Sequence, residues 1–411
     1  MKTIKNKTCR MCSSNKFETV VNLGNHPLVN SLITKKNLKK KDPVFPLHVK
    51  QCKSCKLVQL VEVIDANEIY KNVEYLYFSS DMPNLDKYFR PYANELQKRF
   101  LTKKNELVVE IGSNDGIMLQ FFKKSNKILG VDPSTNVVLR ALKKGITTVP
   151  DFFTKKLSQQ IKNEWGQAKI IYGNNCIAHL NDVRDLIEGV DVLLRDDGVF
   201  IIECNYWGGM VDNINYSLIY HDHFSYFSIE VWNKFLKKYK MNIFDATVTP
   251  AQGGSLRLFI SKNKRTKTKR LNDLLKKEKI TGLNTYKKSL EYRANVNRIS
   301  NKLRKIVEDI KKKGLTVAGY GAAAKGLTIL KCSKLGKKHI SYFVDDSPAK
   351  QGFYTPVDHI PIISRKEANK KLPDYFIILA PNYSDVIIEK ESEFIKKGGK
   401  FIIPKNEIKI V

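Results

Sequence analysis

Four cysteines in two tight pairs are the first residues whose type and spacing imply chemistry. Cys9-Arg10-Met11-Cys12 and Cys52-Lys53-Ser54-Cys55 are C-x-x-C turns separated by 39 residues. Each turn presents two thiolates to one metal, so Cys9, Cys12, Cys52 and Cys55 together predict a closed tetrahedral zinc site. Four sulfur ligands leave no position for water, which makes the expected metal structural. Its binding energy would hold together a module too small for an adequate core. Cys176, Cys204 and Cys332 lie elsewhere and read as packing residues.

A second cluster is Tyr220-His221-Asp222-His223, which opens an aromatic run ending at Phe227. A histidine beside a carboxylate and a tyrosine can serve as a general base near neutral pH. Upstream, Asn175-Cys176-Ile177-Ala178-His179 follows an apolar stretch, Lys169–Tyr172, at the place where doubly wound sheets gather ligands. Taken singly, each histidine reads equally well as a satisfied core donor. The density of polar groups in the two stretches favours catalysis.

The third pattern is Val108-Val109-Glu110-Ile111-Gly112-Ser113-Asn114-Asp115-Gly116, a buried strand running into a glycine-bearing turn. Gly112 and Gly116 let the backbone approach a ligand at the carboxyl end of the strand, with Glu110, Asn114 and Asp115 beside them. The turn does not match G-x-G-x-x-G, so a dinucleotide is not expected. The spacing suits S-adenosylmethionine, whose amino-acid part needs backbone contacts and no pyrophosphate cradle. A next strand ends at Asp132, which can accept hydrogen bonds from ribose hydroxyls. Pro150-Asp151-Phe152-Phe153 offers an apolar face for adenine, with Asn175 nearby in the later loop.

These residues need elements to hold them. Strands are expected at Leu107–Ile111, Lys127–Val131, Lys169–Tyr172 and Gly198–Glu203, alternating with helices as in a parallel sheet. A second series is expected at Thr316–Tyr320, His339–Val344, Tyr375–Leu379 and Lys400–Ile403, after one long lysine-rich helical stretch over 271–313. The chain of 411 residues therefore divides into a zinc-binding module (1–77), a methyltransferase domain (78–245) and a C-terminal α/β domain (246–411). Lys plus Arg number 72 against 41 Asp plus Glu, a formal charge of +31. The lysines are scattered, and the densest stretch, Lys262–Lys277, lacks the interleaved aromatics of a base-stacking platform. No nucleic-acid partner is expected. Neither a membrane span nor a signal core is visible, so a cytoplasmic enzyme, monomeric or weakly oligomeric, is expected.

Taken in order, these motifs resemble the sugar C-methyltransferases of deoxysugar pathways, and the resemblance covers all three segments. It is carried by Asn22-Leu23-Gly24-Asn25-His26-Pro27-Leu28-Val29-Asn30, by the two cysteine turns, by Glu110–Gly116 and by Ile219–Ser228. Gly253-Gly254-Ser255-Leu256-Arg257, Gly319-Tyr320-Gly321-Ala322-Ala323-Ala324-Lys325-Gly326, Asp345-Asp346-Ser347-Pro348 and Lys350-Gln351-Gly352 continue it. The resemblance implies a Rossmann-like S-adenosylmethionine domain and a C-terminal Rossmann-like domain that helps to grip a nucleotide diphosphate. It implies methyl transfer to the carbon next to the ketone, C3, of a nucleotide-linked 4-keto sugar through an enolate. His223 would be the base; Tyr220, Asp222, His179 and Tyr77 or Tyr75 would position the sugar and stabilise the enolate oxygen. His221, Arg257, Tyr320, Gly321, Lys325 and Asp345 would contact the nucleotide sugar. The chain departs from the family pattern at Asp222, where glutamate is usual, at Gln252 and at Pro381. Two other readings stay open: a sugar O-methyltransferase, and a zinc-containing basic protein that binds nucleic acid.

Overall fold

In the computed structural model, residues 3–411 are described apart from 30, 72–74, 76 and 83. Of the motif residues, Asn30, Leu76 and the side chain of Gln252 lie outside that description. The chain packs as two compact units: Met1–Glu18 with Gln51–Trp207 and Phe224–Asn284, and Thr19–Lys50 with Gly208–His223 and Thr285–Val411.

The first unit is built on a seven-stranded sheet. Its strands are β1 (Leu107–Ile111), β2 (Lys127–Val131), β3 (Thr148–Val149), β4 (Ala168–Asn174), β5 (Leu194–Asn205), β6 (Asn242–Thr249) and β7 (Ser255–Ser261), in the order β6-β7-β5-β4-β1-β2-β3. The strands β3, β2, β1, β4 and β5 pair in parallel, and β7 and β6 extend the sheet antiparallel. Helices α1 (Leu85–Phe100), α2 (Thr135–Lys143), α3 (Lys155–Trp165) and α4 (Val183–Leu193) belong to this unit. All five residues of β1 are buried, as expected of a parallel strand covered on both faces. Phe122, Tyr172, Ile201, Phe244 and Phe259 anchor one core cluster against α1. Every turn after a parallel strand therefore opens at the carboxyl edge, where the glycine turn, Asp132 and Asn175 lie.

The second unit carries a smaller sheet. Strands β8 (Val317–Tyr320), β9 (Phe343–Val344), β10 (Ile362–Ile363), β11 (Tyr375–Ile378), β12 (Lys400–Pro404) and β13 (Ile408–Ile410) run in the order β10-β9-β8-β11-β12-β13, parallel except for β13.

The expected strand over His339–Val344 is shorter. The amides of His339 and Ile340 both bond to Gly336 O, closing a turn instead. The single helix expected over 271–313 is two, α5 (Lys269–Ile280) and α6 (Tyr286–Lys312). Gly282 takes a left-handed φ of 62°, and the Thr285 hydroxyl accepts from Lys288 N to start α6.

Candidate active site and metal centre

Cys9, Cys12, Cys52 and Cys55 converge, their sulfurs all within 4.8 Å of one another. The Cys9–Cys55 and Cys12–Cys52 Sγ separations are both 3.5 Å. A tetrahedral zinc with Zn–S bonds of about 2.3 Å requires edges of about 3.8 Å, so the four donors fit that ion. Gln59 Nε2 donates to Cys9 Sγ at 3.2 Å, and Gln59 Oε1 accepts from Arg10 NH1 at 3.0 Å. Such outer partners fix ligand orientation and offset thiolate charge.

At the glycine turn, Gly112 and Gly116 have φ of 64° and 78°. A Cβ on Gly112 would lie 2.6 Å from Cys176 Cβ, and one on Gly116 2.5 Å from Ile146 Cδ1, so neither position admits a side chain. Asn114, also left-handed at 51°, donates its amide to Asp132 Oδ2 at 2.9 Å, while Ser134 N donates to Oδ1 at 3.0 Å. Burial raises the Asp132 carboxyl above the ordinary range. Asp115 is fully buried and accepts from Lys144 Nζ at 2.8 Å. Glu110 lies inside the strand, accepting from the Tyr172 hydroxyl at 3.1 Å, and burial pushes its carboxyl well up. Phe152 sits under the Lys71 ammonium at 5.9 Å, and Lys71 pairs with Asp151 at 3.0 Å. Asn175 has a left-handed φ of 55°, and its Oδ1 is buried without a partner among the described residues. The backbone cradle, the carboxylate at the end of β2 and the free amide oxygen fit an adenosylmethionine-type ligand.

A segment the sequence reading missed in part connects to this edge. Tyr70 places its hydroxyl 2.8 Å from His179 Nδ1, with the two rings stacked at 5.9 Å. Tyr75 packs on Tyr70 at 5.4 Å. Tyr77 is 38% exposed, and its carbonyl accepts from Asn114 Nδ2 at 3.0 Å. Burial lowers His179 to about 4, so its ring is neutral at physiological pH. Tyr70 shares no motif with His179, 109 residues away, so nothing local in the sequence signals the pair.

In the second unit, His223 is held by two bonds. Its Nδ1 donates to Leu218 O at 2.7 Å, and the Tyr220 hydroxyl lies 2.9 Å from Nε2. A carbonyl can only accept, so Nδ1 carries the proton and Nε2 the lone pair. Asp222 is half-buried, and burial raises its carboxyl to about 7. His221 turns into the core, 1% exposed, donating Nε2–H to Phe45 O at 3.1 Å, and burial lowers it to about 4.

The residues expected to grip the nucleotide differ in their surroundings. Gly321 ends β8 and donates its amide to Val344 O; Lys325 opens α7 (Ala324–Cys332 in the structure's second sheet, following α6), and burial lowers it to about 8. Asp345 accepts from Ala322 N at 2.7 Å and lies 3.3 Å from Lys350 Nζ. Tyr320 points into the core, its hydroxyl donating to Glu391 at 2.8 Å. Arg257 belongs to the first unit, where it bonds Glu203 through Nε at 2.8 Å and lies over the Tyr92 ring.

A glycine-turn parallel sheet with an acid at the end of its second strand, joined to a four-cysteine module, defines a zinc-binding methyltransferase of Rossmann-like fold. Three family models match in chain order: a putative zinc binding domain over residues 9–70, a methyltransferase domain over 85–243 and a C-methyltransferase C-terminal domain over 250–405. The chain is 32% identical over 406 residues to C-methyltransferase NovU of Streptomyces niveus, covering 98% of this chain and 96% of that protein. It belongs to this C-methyltransferase family, with S-adenosylmethionine and zinc as its cofactors. Two solved structures align more distantly. A putative S-adenosylmethionine-dependent methyltransferase from Listeria monocytogenes gives a TM-score of 0.35 at 12% identity, covering 43% of this chain and 100% of that one. Magnesium protoporphyrin IX methyltransferase from Synechocystis PCC 6803 gives 0.34 at 13%, covering 48% and 89%. Among the described residues no helix is long and apolar enough to cross a membrane.

Proposed function

We propose that this protein methylates the carbon next to the ketone, C3, of a nucleotide-linked 4-keto sugar. In this reading residues 1–77 hold zinc, 78–245 bind S-adenosylmethionine and 246–411 grip the nucleotide diphosphate. The observation that carries it is the Tyr220–His223 pair, which leaves a lone pair on His223 Nε2. Methylating an oxygen needs only a hydroxyl and a base; methylating carbon needs a base that removes a C–H proton and donors that hold the resulting enolate.

The ketone acidifies the hydrogen on C3. His223 Nε2 takes that proton, and the C–H electron pair becomes the enolate. Tyr220 holds the base, and Asp222, protonated below about 7, donates to the sugar oxygen. With Nδ1 of His179 accepting from Tyr70, its Nε2–H is a second donor, and Tyr75 or Tyr77 positions the sugar. When bound, S-adenosylmethionine supplies an electrophilic methyl group on sulfur. The enolate carbon takes that methyl, and preorganised contact between the two gives most of the acceleration. Asp132 would accept from the ribose hydroxyls, the Gly112–Gly116 backbone and Asn175 would hold the amino-acid end, and Phe152 would face adenine. Lys325 and the Gly321 turn would meet the phosphates.

The basic run supports a small substrate over nucleic acid. Lys262 bonds to Asp191 O at 2.6 Å, Arg265 to Asp197 O at 3.1 Å, and Arg270 to the Asp245 carboxylate. Its cations are thus engaged within the fold. The test is mass spectrometry and NMR of products from S-adenosylmethionine and a panel of nucleotide-linked 4-keto sugars. A new carbon–methyl bond beside the ketone is expected; an O-methyl product, or none, would overturn the reading.

A further inference from the structure

Asn136 lies outside every motif, yet its side chain is bonded twice to the main chain of one residue. Its Nδ2 donates to Tyr75 O at 2.9 Å, and its Oδ1 accepts from Tyr75 N at 3.4 Å. Asn136 is the second residue of α2, and the turn leading into α2 contains Asp132 and its partner Ser134. On the other side, the Tyr75 ring packs on Tyr70 at 5.4 Å, and Tyr70 bonds His179 at 2.8 Å. A continuous chain of contacts therefore runs from the turn after β2 to the loop after β4.

The same kind of grip recurs at the glycine turn. Asn114 donates Nδ2 to Tyr77 O at 3.0 Å and accepts from Ser79 N at 2.8 Å. An asparagine offers one donor and one acceptor and so matches a peptide unit without needing a charge. Two asparagines, one at each of two adjacent strand ends, thus hold the tyrosine-bearing segment by its backbone and leave the rings free to face other groups.

We propose that Asn136 is a positioning residue: by seating Tyr75, and through Tyr75 and Tyr70, it sets the imidazole of His179 relative to the cofactor turn. The proposal rests on the proposed function only for the role of His179. Asn136 itself touches no reacting atom.

The test uses the full-length enzyme with Asn136→Ala, Tyr70→Phe and the double variant. At saturating S-adenosylmethionine, Asn136→Ala is expected to lower kcat by about ten- to a hundred-fold, the cost of slightly misplaced groups. The Kd for S-adenosylmethionine should stay within about two-fold, because Asp132 is held by backbone amides that the substitution leaves in place. Tyr70→Phe should give a similar loss, and the double variant no more than the larger single one, because both act through His179. The ring resonances of His179, assigned with His179→Asn in histidine-labelled protein, should shift in Asn136→Ala. An unchanged kcat, multiplying losses, or a parallel collapse of S-adenosylmethionine binding and thermal stability would overturn the proposal. If the wild type methylates no keto sugar, the substrate reading fails, and the His179 resonances alone then decide the positioning: a shift supports it, no shift overturns it.

Discussion

Replacing Arg257 by methionine separates a framework role from a substrate role for this arginine. The side chains of Arg257 and Glu203 are 7% and 0% exposed, and their closest contact is 2.7 Å. Tyr88 donates to Glu203 Oε1 at 2.6 Å and accepts from Arg257 NH2 at 3.1 Å, so the three groups form one buried network. Removing one partner of a buried pair costs about 3–5 kcal/mol, because the remaining charge stays uncompensated. Tyr88 would still bond Glu203, which places the loss toward the lower end of that range. For a domain of this size each kcal/mol lowers Tm by roughly 2–4 °C, giving a fall on the order of 10 °C. Thermal unfolding followed by circular dichroism reads this directly. Glu203→Gln combined with Arg257→Met removes the orphaned charge and should recover part of the loss. An Arg257→Met protein with wild-type Tm but a raised KM for the nucleotide sugar would refute the framework reasoning.

Three further outcomes follow from the same structure. Cys12→Ser should lower bound zinc and make residues 1–77 sensitive to limited proteolysis, since structural zinc contributes about 10–16 kcal/mol to small modules; full zinc content by elemental analysis would contradict the four-sulfur site. Burial lowers His26 and His221 to about 4, while their unfolded value is near 6.5. The unfolded chain then takes up protons first, so this stability is complete above pH 6.5 and is lost as pH falls toward 4, by roughly 3 kcal/mol for each histidine. Urea unfolding from pH 7.5 to 4.5 should show that decline, and a flat profile would contradict it.

What could be read from the sequence was what is local. Val108–Gly116 carries its own strand, turn and glycines within nine residues, and β1 and β2 fall on their expected bounds. The cysteine turns work the same way, because each C-x-x-C already fixes half of a tetrahedron. Three features depended on distant partners. Arg257 looked like a phosphate ligand, but its partner Glu203 stands on a neighbouring strand 54 residues away. His221 looked like a site residue beside His223, but the backbone turns it toward Phe45, 176 residues away. Tyr70 meets His179 only through the fold. The break between α5 and α6 was hidden for another reason: lysines dominate both helices, and only Gly282 and the Thr285 cap mark the boundary.

The most direct test of the central claim is solvent exchange at the carbon next to the ketone. Wild-type enzyme with a nucleotide-linked 4-keto sugar and S-adenosylhomocysteine in heavy water should incorporate deuterium at that carbon, because His223 forms the enolate before any methyl moves. His223→Asn should abolish the exchange while S-adenosylmethionine still binds. Exchange that persists in His223→Asn, or methyl transfer without any exchange-competent base, would contradict the assignment of His223 and with it the proposed route to carbon methylation.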